Sequence, residues 1–268
     1  FGHTDQYLRI NGYASQNATD TVKVDLKEIN IGYVFDIVNL KAVDFKGSAS
    51  GVAYASGLLK SPVMNTRLFV RDFSFNDGLF GDMNVYGEWK QNEQGIYVDA
   101  DIREKDIASI DVKGYIYPLR PKSGLDLTIK PKIANIKFLE YSIGGIMSDI
   151  KGRASGNIHL YGPFNALNLD GIARADATFK VNTLNTYFML EDSVYFVPER
   201  MSVQDALISD LEGHSGKVSG QIRHMNFKDM VYRLEMNAAG MLVMNTVEDP
   251  DVPFYGKVYA TGNALLSG

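Results

Sequence analysis

Two aspartates, Asp99 and Asp101, have the spacing in this chain that best fits acid–base chemistry. Paired carboxylates can divide the roles of proton donor and proton acceptor between them. Residues two apart in a β-strand lie on the same face, so the two carboxylates would be neighbours. That face also carries Tyr97 and Arg103, which is typical of a solvated strand surface. We interpret the pair as a solvent-facing row rather than as a catalytic dyad.

Two other segments resemble catalytic motifs, and each lacks a required residue. The segment Glu212–Lys217 (EGHSGK) is flanked by Leu211 and Val218, where a phosphate-binding loop needs Gly before it and Ser or Thr after it. The segment Gly47–Gly51 (GSASG) has Ala49 where a nucleophile elbow needs Ser. Neither segment therefore predicts catalysis.

The four His residues and the absence of Cys also argue against a chemical site. No His pair has the spacing of zinc ligands, and we expect His159 and His214 to be solvent-facing or hydrogen-bonded. Without Cys, neither a disulfide framework nor a thiolate metal site can form. We therefore expect no catalytic residue, no metal and no cofactor, and the chain is predicted not to be an enzyme.

Charge and hydropathy exclude two further classes of function. The net charge is −5 and no basic run is longer than a pair, so nucleic acid is not expected as a partner. No apolar stretch approaches the 18 residues of a membrane-spanning helix. The chain begins without Met, and we expect it to be a part of a longer protein.

One octapeptide occurs twice in nearly the same form, as DFKGSASG at 44–51 and as DIKGRASG at 149–156, which places the copies 149 − 44 = 105 residues apart. A repeated motif is more often architectural than catalytic. Read as strands, both copies have a polar face and an apolar face of small residues that includes Gly47, Gly51, Gly152 and Gly156. Glycine weakens a strand interior, so its repeated use indicates a sharp bend or the close approach of another group. We predict a tightly curved sheet whose apolar side stays uncrowded.

Alternation of apolar and polar residues recurs along almost the whole chain and predicts successive antiparallel strands, roughly 18–20 of them. The segment Ile133–Ile143 is the best candidate for a helix, although a short strand fits it equally well. We predict that the apolar side of the alternating strands lines a groove, formed by Ile96, Val98, Ile102, Val112, Leu127, Ile158, Leu160, Leu234 and Met236.

An apolar strand face needs a cover, which a sandwich, a closed barrel or a sheet folded over itself could supply. Gly and Ala would fill a sandwich core poorly, which favours the third arrangement. The predicted fold is all-β, an elongated curved antiparallel sheet with an open hydrophobic groove. We treat residues 1–268 as a single segment of this kind, because no linker or low-complexity stretch divides them.

The second half of the chain, roughly 144–268, resembles the TamB (translocation and assembly module subunit) family of the AsmA-like group, in its Bacteroidetes form. The elements that carry this resemblance occur in order as Gly152–Gly156 (GRASG), Tyr161–Pro163 (YGP), Leu184–Tyr187 (LNTY), Ser209–Gly213 (SDLEG), His224–Phe227 (HMNF) and Phe254–Gly262 (FYGKVYATG). The first octapeptide resembles an earlier turn of the same repeat.

The resemblance implies a periplasmic part of an inner-membrane-anchored protein, with the anchor outside this segment. It implies a hydrophobic β-taco groove that carries phospholipid acyl chains between inner and outer membranes. It also implies an Omp85-type barrel protein of the outer membrane as partner. An alternative function is that of a chaperone or scaffold for the assembly or translocation of outer-membrane proteins. A transmembrane barrel and a purely structural sandwich are the other possibilities left open.

Overall fold

The chain folds almost entirely into β-strands. A computed structural model describes residues 6–17, 19–33, 44–58, 60, 62–75, 78–105, 107–118, 123–225, 228–248 and 255–268. The first strands are β1 (Tyr7–Gly12), β2 (Thr21–Asn30), β3 (Phe45–Ser56), β4 (Val63–Phe75), β5 (Gly78–Lys90), β6 (Gly95–Glu104), β7 (Ile107–Tyr117) and β8 (Gly124–Pro131).

The second part of the chain continues this pattern after a short interruption. Its strands are β9 (Ala134–Asn135), β10 (Met147–Pro163), β11 (Asn168–Val181), β12 (Thr186–Val197), β13 (Arg200–Asp210), β14 (Ser215–Met225), β15 (Lys228–Thr246) and β16 (Gly256–Ser267). The segment Ile133–Ile143, for which helix and strand were both open, contains both: β9 is followed by a short helix, α1 (Leu139–Ile143).

Hydrogen bonding joins the strands almost entirely in the order of the sequence. Among the residues that the structure describes, sixteen strands form one sheet in which β1 to β8 are followed by β10 to β16, and β9 pairs with β10 beside this path. β1 and β16 lie at the two ends of the order. The prediction of an all-β fold built on one long antiparallel sheet is confirmed.

The chain divides into two compact units. Unit 1 comprises Phe1–Lys132 and His159–Asn168, and unit 2 comprises Ile133–Ile158 and Leu169–Gly268. Strand β10 therefore contributes its first part to unit 2 and its last part to unit 1. That residues 1–268 act as one groove segment stays a prediction.

Unit 1 has its most deeply buried side chains toward one end of β4, β6 and β7. Val70 and Ile102 are 2% and 3% exposed. Aromatic rings extend this packing, since the Phe45 ring centroid lies 5.8 Å from that of Phe73 and 5.4 Å from that of Phe75. Apolar burial of this kind contributes about 25 cal/mol per Å² of area removed from water.

The sheet of unit 2 is curved. Cα atoms of β15 approach within 8 Å of those of β12 and β13, although β14 alone separates β15 from β13 in the order. In a flat sheet, strands two positions apart would be separated by about 9.6 Å, because neighbours are about 4.8 Å apart. The bend brings apolar side chains of these strands together around a core that includes Phe188 and Met241, which are 2% and 0% exposed.

Candidate functional site

The apolar side chains of unit 1 form continuous rows across the strands. Directly opposed residues of antiparallel strands point to the same side of a sheet. One row of opposed residues runs through Ile10, Val24, Ala53, Thr66, Gly87, Val98, Gly114 and Leu127. The next row runs through Leu8, Leu26, Gly51, Leu68, Val85, Ala100, Val112 and Ile129. We call this side of the sheet the apolar face.

The groove residues predicted in unit 1 all lie on the apolar face, and their exposure differs along it. Val98 and Ile102 are buried, at 8% and 3% exposure. Ile96, Val112 and Leu127 are half-buried. Because Val98 is directly opposed by Gly87 and Gly114, the strands beside it place no side chain on the apolar face at that level. Leu160, on the part of β10 that belongs to unit 1, is also half-buried.

The predicted residues of unit 2 lie on its apolar face as well. Leu234 and Met236 are opposed by Gly220 and Val218 of β14, and Met236 is 6% exposed. Leu234 is half-buried and packs against the core of this unit, and Ile158 on β10 is half-buried too. A row through Ala177, Leu190, Ile208, Gly216 and Ala238 joins β11 to β15 across this face.

The opposite side of the sheet is charged, and its ionic groups pair with each other. The Lys113 ammonium lies 2.7 Å from the Asp99 carboxylate, and the Arg103 guanidinium lies 2.6 Å from that of Asp101. The hydrogen bond to Asp99 raises the pKa of Lys113. Asp99 and Asp101 therefore have separate cationic partners, which agrees with a solvent-facing row.

The glycines of the octapeptide lie where the backbone of the neighbouring strand approaches closely. A Cβ atom on Gly51 would lie 2.2 Å from the carbonyl oxygen of Arg67, and one on Gly152 would lie 2.0 Å from that of Asp176. Both glycines have positive φ, +150° and +134°, which other residues rarely adopt. These glycines allow close approach of the neighbouring strand's backbone, in addition to leaving the apolar face free of side chains.

The other two octapeptide glycines are equally confined by the neighbouring strand. A Cβ on Gly47 would lie 2.7 Å from Val70 Cγ1, and one on Gly156 would lie 2.3 Å from the carbonyl oxygen of Ile172.

Four acidic residues with positive φ interrupt strands away from the hairpin turns, and sequence reasoning missed all of them. They are Glu28, Asp72, Asp149 and Asp205, with φ between 48° and 53°. Each backbone N–H donates to a side-chain oxygen of a neighbouring element, namely Ser50 Oγ, Asp82 Oδ1, Glu140 Oε1 and Ser219 Oγ in that order. The strand register shifts at Glu28, Asp72 and Asp205, as in β-bulges, which bend the strand that contains them.

The most deeply buried polar side chain among the described residues is Asp210, at 0% exposure. Its carboxylate accepts hydrogen bonds from the backbone N–H groups of Glu212 (2.9 Å), His214 (2.9 Å) and Leu242 (2.7 Å), and lies 3.0 Å from His214 Nδ1. Burial opposes ionisation of this carboxyl, but these hydrogen bonds outweigh it and lower its pKa. Asp210 thereby ties the β13–β14 turn to β15.

The three His residues that the structure describes are hydrogen-bonded or buried. His159 Nε2 lies 2.9 Å from the Asp126 carboxylate, and the His159 ring stacks on Tyr161 with centroids 4.5 Å apart. His224 is 8% exposed, and burial lowers its pKa. Within the described residues, no three His, Asp or Glu side chains come together as metal ligands do. The described helices are also too short to cross a membrane.

The segment between β9 and β10 covers part of the apolar face in unit 2. Ile136 and Ile143 are 5% and 7% exposed and belong to the same core as Phe188 and Met241. The sequence left helix and strand open for this segment, and nothing in it indicated which surface the segment would contact.

Comparison of the chain with protein-family models, with characterised proteins and with solved structures finds no match. The rows of the apolar face and the charged face opposite them are therefore the observations on which a function has to be based.

Proposed function

We propose that the chain is a non-catalytic periplasmic module whose apolar face binds phospholipid acyl chains and passes them between the inner and outer membranes. The observation that carries this proposal is the in-register apolar row from Ile10 to Leu127, which crosses eight strands. The resemblance to the TamB family supports the same function and adds outer-membrane biogenesis, with an Omp85-type barrel protein as partner.

The energetic reason is the cost of exposing an acyl chain to water. Exposing a chain of about 15 methylenes to water costs about 12 kcal/mol, at about 0.8 kcal/mol for each CH₂. Half-buried side chains such as Ile96, Val112 and Leu127 offer apolar contact at a surface that a chain can reach. A charged headgroup can stay in water at the open side of the proposed groove. This transfer needs no catalytic group.

Lipid extraction and photo-crosslinking test the proposal together. Mass spectrometry of the purified protein should detect bound phospholipid. Crosslinkers at Val112 or Leu234 on the apolar face should capture phospholipid in living cells, whereas crosslinkers at Asp99, Lys113 or Arg233 on the charged face should not. Equal labelling of both faces, or no labelling of the apolar face, would rule out this function.

A chaperone or scaffold for outer-membrane proteins is the second candidate, and the exposed apolar side chains of β1 favour it. Its apolar-face residues Leu8 and Ile10 are 54% and 63% exposed. Exposed apolar side chains of a strand can contact apolar residues of an unfolded client. Saturable binding of unfolded barrel peptides without bound lipid would favour this candidate over lipid transport.

A further inference from the structure

The segment 133–146, which we call the stopper, lies against only one end of the strands in unit 2. Its residues Ile136 and Ile143 share a core with Phe179, Phe188 and Ile208, which lie toward the ends of β11, β12 and β13 that meet the β11–β12 and β13–β14 turns. All these side chains are buried, at 9% exposure or less. The space over this end of the apolar face is therefore filled by the chain itself.

Polar contacts hold the stopper at both of its ends. Asn182 is central to them: its Nδ2 donates to the carbonyl oxygen of Gly144 (2.8 Å), and its backbone N–H donates to that of Ile146 (3.0 Å). Before the helix, β9 pairs with β10 through Ala134 opposite Ala154. The Glu140 carboxylate accepts the backbone N–H of Asp149 on β10 (3.1 Å).

At the other end of the same strands none of the described buried residues belongs to this core, and half-buried side chains such as Met230 pack against its edge. There Met201 of β13 is opposed by Ile222 of β14, which is opposed by Tyr232 of β15. All three residues are half-buried. On β14, Val218 lies in the core at the end of the strands that the stopper covers, and it is 7% exposed. Ile222 lies four residues further along the same face and outside that core.

We propose that the stopper ends the acyl-chain path within unit 2, so that a lipid chain enters this unit only from the end of the strands that carries Met201, Ile222 and Tyr232. This inference rests on the proposed lipid-binding function. Ile136 and Ile143 occupy the volume that a chain would need in order to continue over Phe188 and Val218. The apolar face of unit 2 is then a blind pocket rather than an open passage.

Two positions on one strand form the test. A diazirine-bearing aliphatic residue is placed at Ile222 or at Val218, about 13 Å apart at about 3.3 Å per residue. Each protein is incubated with vesicles of phosphatidylethanolamine and phosphatidylglycerol, irradiated, and analysed by mass spectrometry. We expect at least tenfold more lipid adduct at position 222 than at position 218. Circular dichroism verifies that both proteins retain their β-structure.

The remaining outcomes separate this inference from the function on which it rests. Comparable amounts of lipid adduct at both positions would overturn the proposal that the stopper ends the acyl-chain path. Adducts at Val112 in unit 1 but at neither position in unit 2 would also overturn it, while leaving the lipid function intact. Absence of adducts at all three positions would reject both.

Two further variants test the stopper itself. Replacing Ile136 and Ile143 together with Ala should raise labelling at position 218, and the exposed substitution Leu211→Ala should not. Because the chain has no Cys, Ala134→Cys with Ala154→Cys introduces a single disulfide between opposed residues. Labelling at position 218 should stay low whether this bond is oxidised or reduced. Higher labelling at position 218 after reduction of the disulfide would show that the segment moves. This result would overturn the proposal that the stopper is fixed in place.

Discussion

The buried carboxylate of Asp210 accepts a 2.7 Å hydrogen bond from the backbone N–H of Leu242, 32 residues further along the chain. Leu242 lies where the register between β15 and β16 shifts, so its N–H is available to a side chain rather than to the ladder. The same carboxylate also accepts N–H groups from the β13–β14 turn. One charged side chain at the end of β13 thus satisfies backbone donors of the adjoining turn and of β15, which is not a neighbour of β13 in the sheet.

Replacing Asp210 with Asn should therefore destabilise unit 2. The amide keeps one acceptor oxygen and points an NH₂ group at donors, which leaves at least one buried N–H without an acceptor. We expect a loss of about 1–3 kcal/mol in the free energy of unfolding, measured by urea denaturation. Glu191→Gln, which breaks only an exposed ion pair with Arg174, is the matched control and should change stability little. Equal effects of the two substitutions would contradict this role of Asp210.

The lowered pKa of Asp210 also predicts acid sensitivity. Its ionised form is favoured in the folded state, so its contribution to stability is complete above its ordinary pKa of 3.8 and is lost as the pH falls through the lower, folded value. The stability difference between the native chain and the Asn variant should therefore shrink at acid pH. A difference that stays constant down to about pH 2 would contradict the assignment.

His224 should make folding sensitive to pH in a higher range. Burial lowers its pKa, with partial compensation by the Glu199 carboxylate, so the folded state favours the neutral ring. Its contribution to stability is complete above the ordinary value of 6.5 and declines as the pH falls from 6.5 toward the folded pKa. Urea unfolding at several pH values should show this decline in the native chain and a weaker one in His224→Gln. Parallel curves would show that His224 is not responsible.

The substitution Gly152→Ala should lower the free energy of unfolding far more than Ser155→Ala, three residues along the same strand. The Gly152→Ala methyl would lie 2.0 Å from the carbonyl oxygen of Asp176, at a φ of +134°. We expect a loss of roughly 2–5 kcal/mol in the free energy of unfolding. Ser155 is exposed on the charged face, so Ser155→Ala should be nearly neutral. Thermal or urea denaturation of both variants provides the comparison.

The substitution Leu127→Glu should reduce lipid binding without unfolding unit 1. Leu127 is half-buried and is opposed by Gly114, which leaves room for Glu to bend toward water. Desolvating that charge beside an acyl chain is unfavourable. A penalty of about 1.4 kcal/mol already lowers binding tenfold, which extraction and mass spectrometry can measure. Thr128→Glu, opposed by Lys113 on the charged face, is the control. Equal lipid content in the two variants would place the binding surface elsewhere.

Alternation in the sequence predicted the sides of the sheet because a strand with one buried face must repeat with period two. Each predicted groove residue from Ile96 to Leu127 lies on the apolar face for this reason. The same rule could not predict the position of the stopper, because contact between α1 and the core depends on residues far away in the chain. Nor could it predict Asp210, whose partner Leu242 becomes available only where β15 is irregular.

The bulges did leave a signal in the sequence. At each of the four bulge-like interruptions two apolar residues stand three apart instead of two, with an acidic residue just before the second. The four segments are Leu26–Ile29 (LKEI), Val70–Phe73 (VRDF), Met147–Ile150 (MSDI) and Val203–Ala206 (VQDA). The shift keeps apolar side chains on one face across an inserted residue. The signature is short, which is why alternation alone does not separate it from an ordinary loss of pattern.

The order of the strands in unit 1 has a consequence for how the chain folds. From β2 to β7 each strand pairs with the strand before it and the strand after it in the sequence. Contacts of such short sequence separation carry a small loop-closure cost, and this favours rapid folding. Each new hairpin can therefore dock on strands already in place as the chain emerges from a ribosome. Stability then grows by nearest-neighbour increments, as in repeat proteins. An insertion or deletion of one hairpin would change the length of the apolar face without altering how the other strands pair.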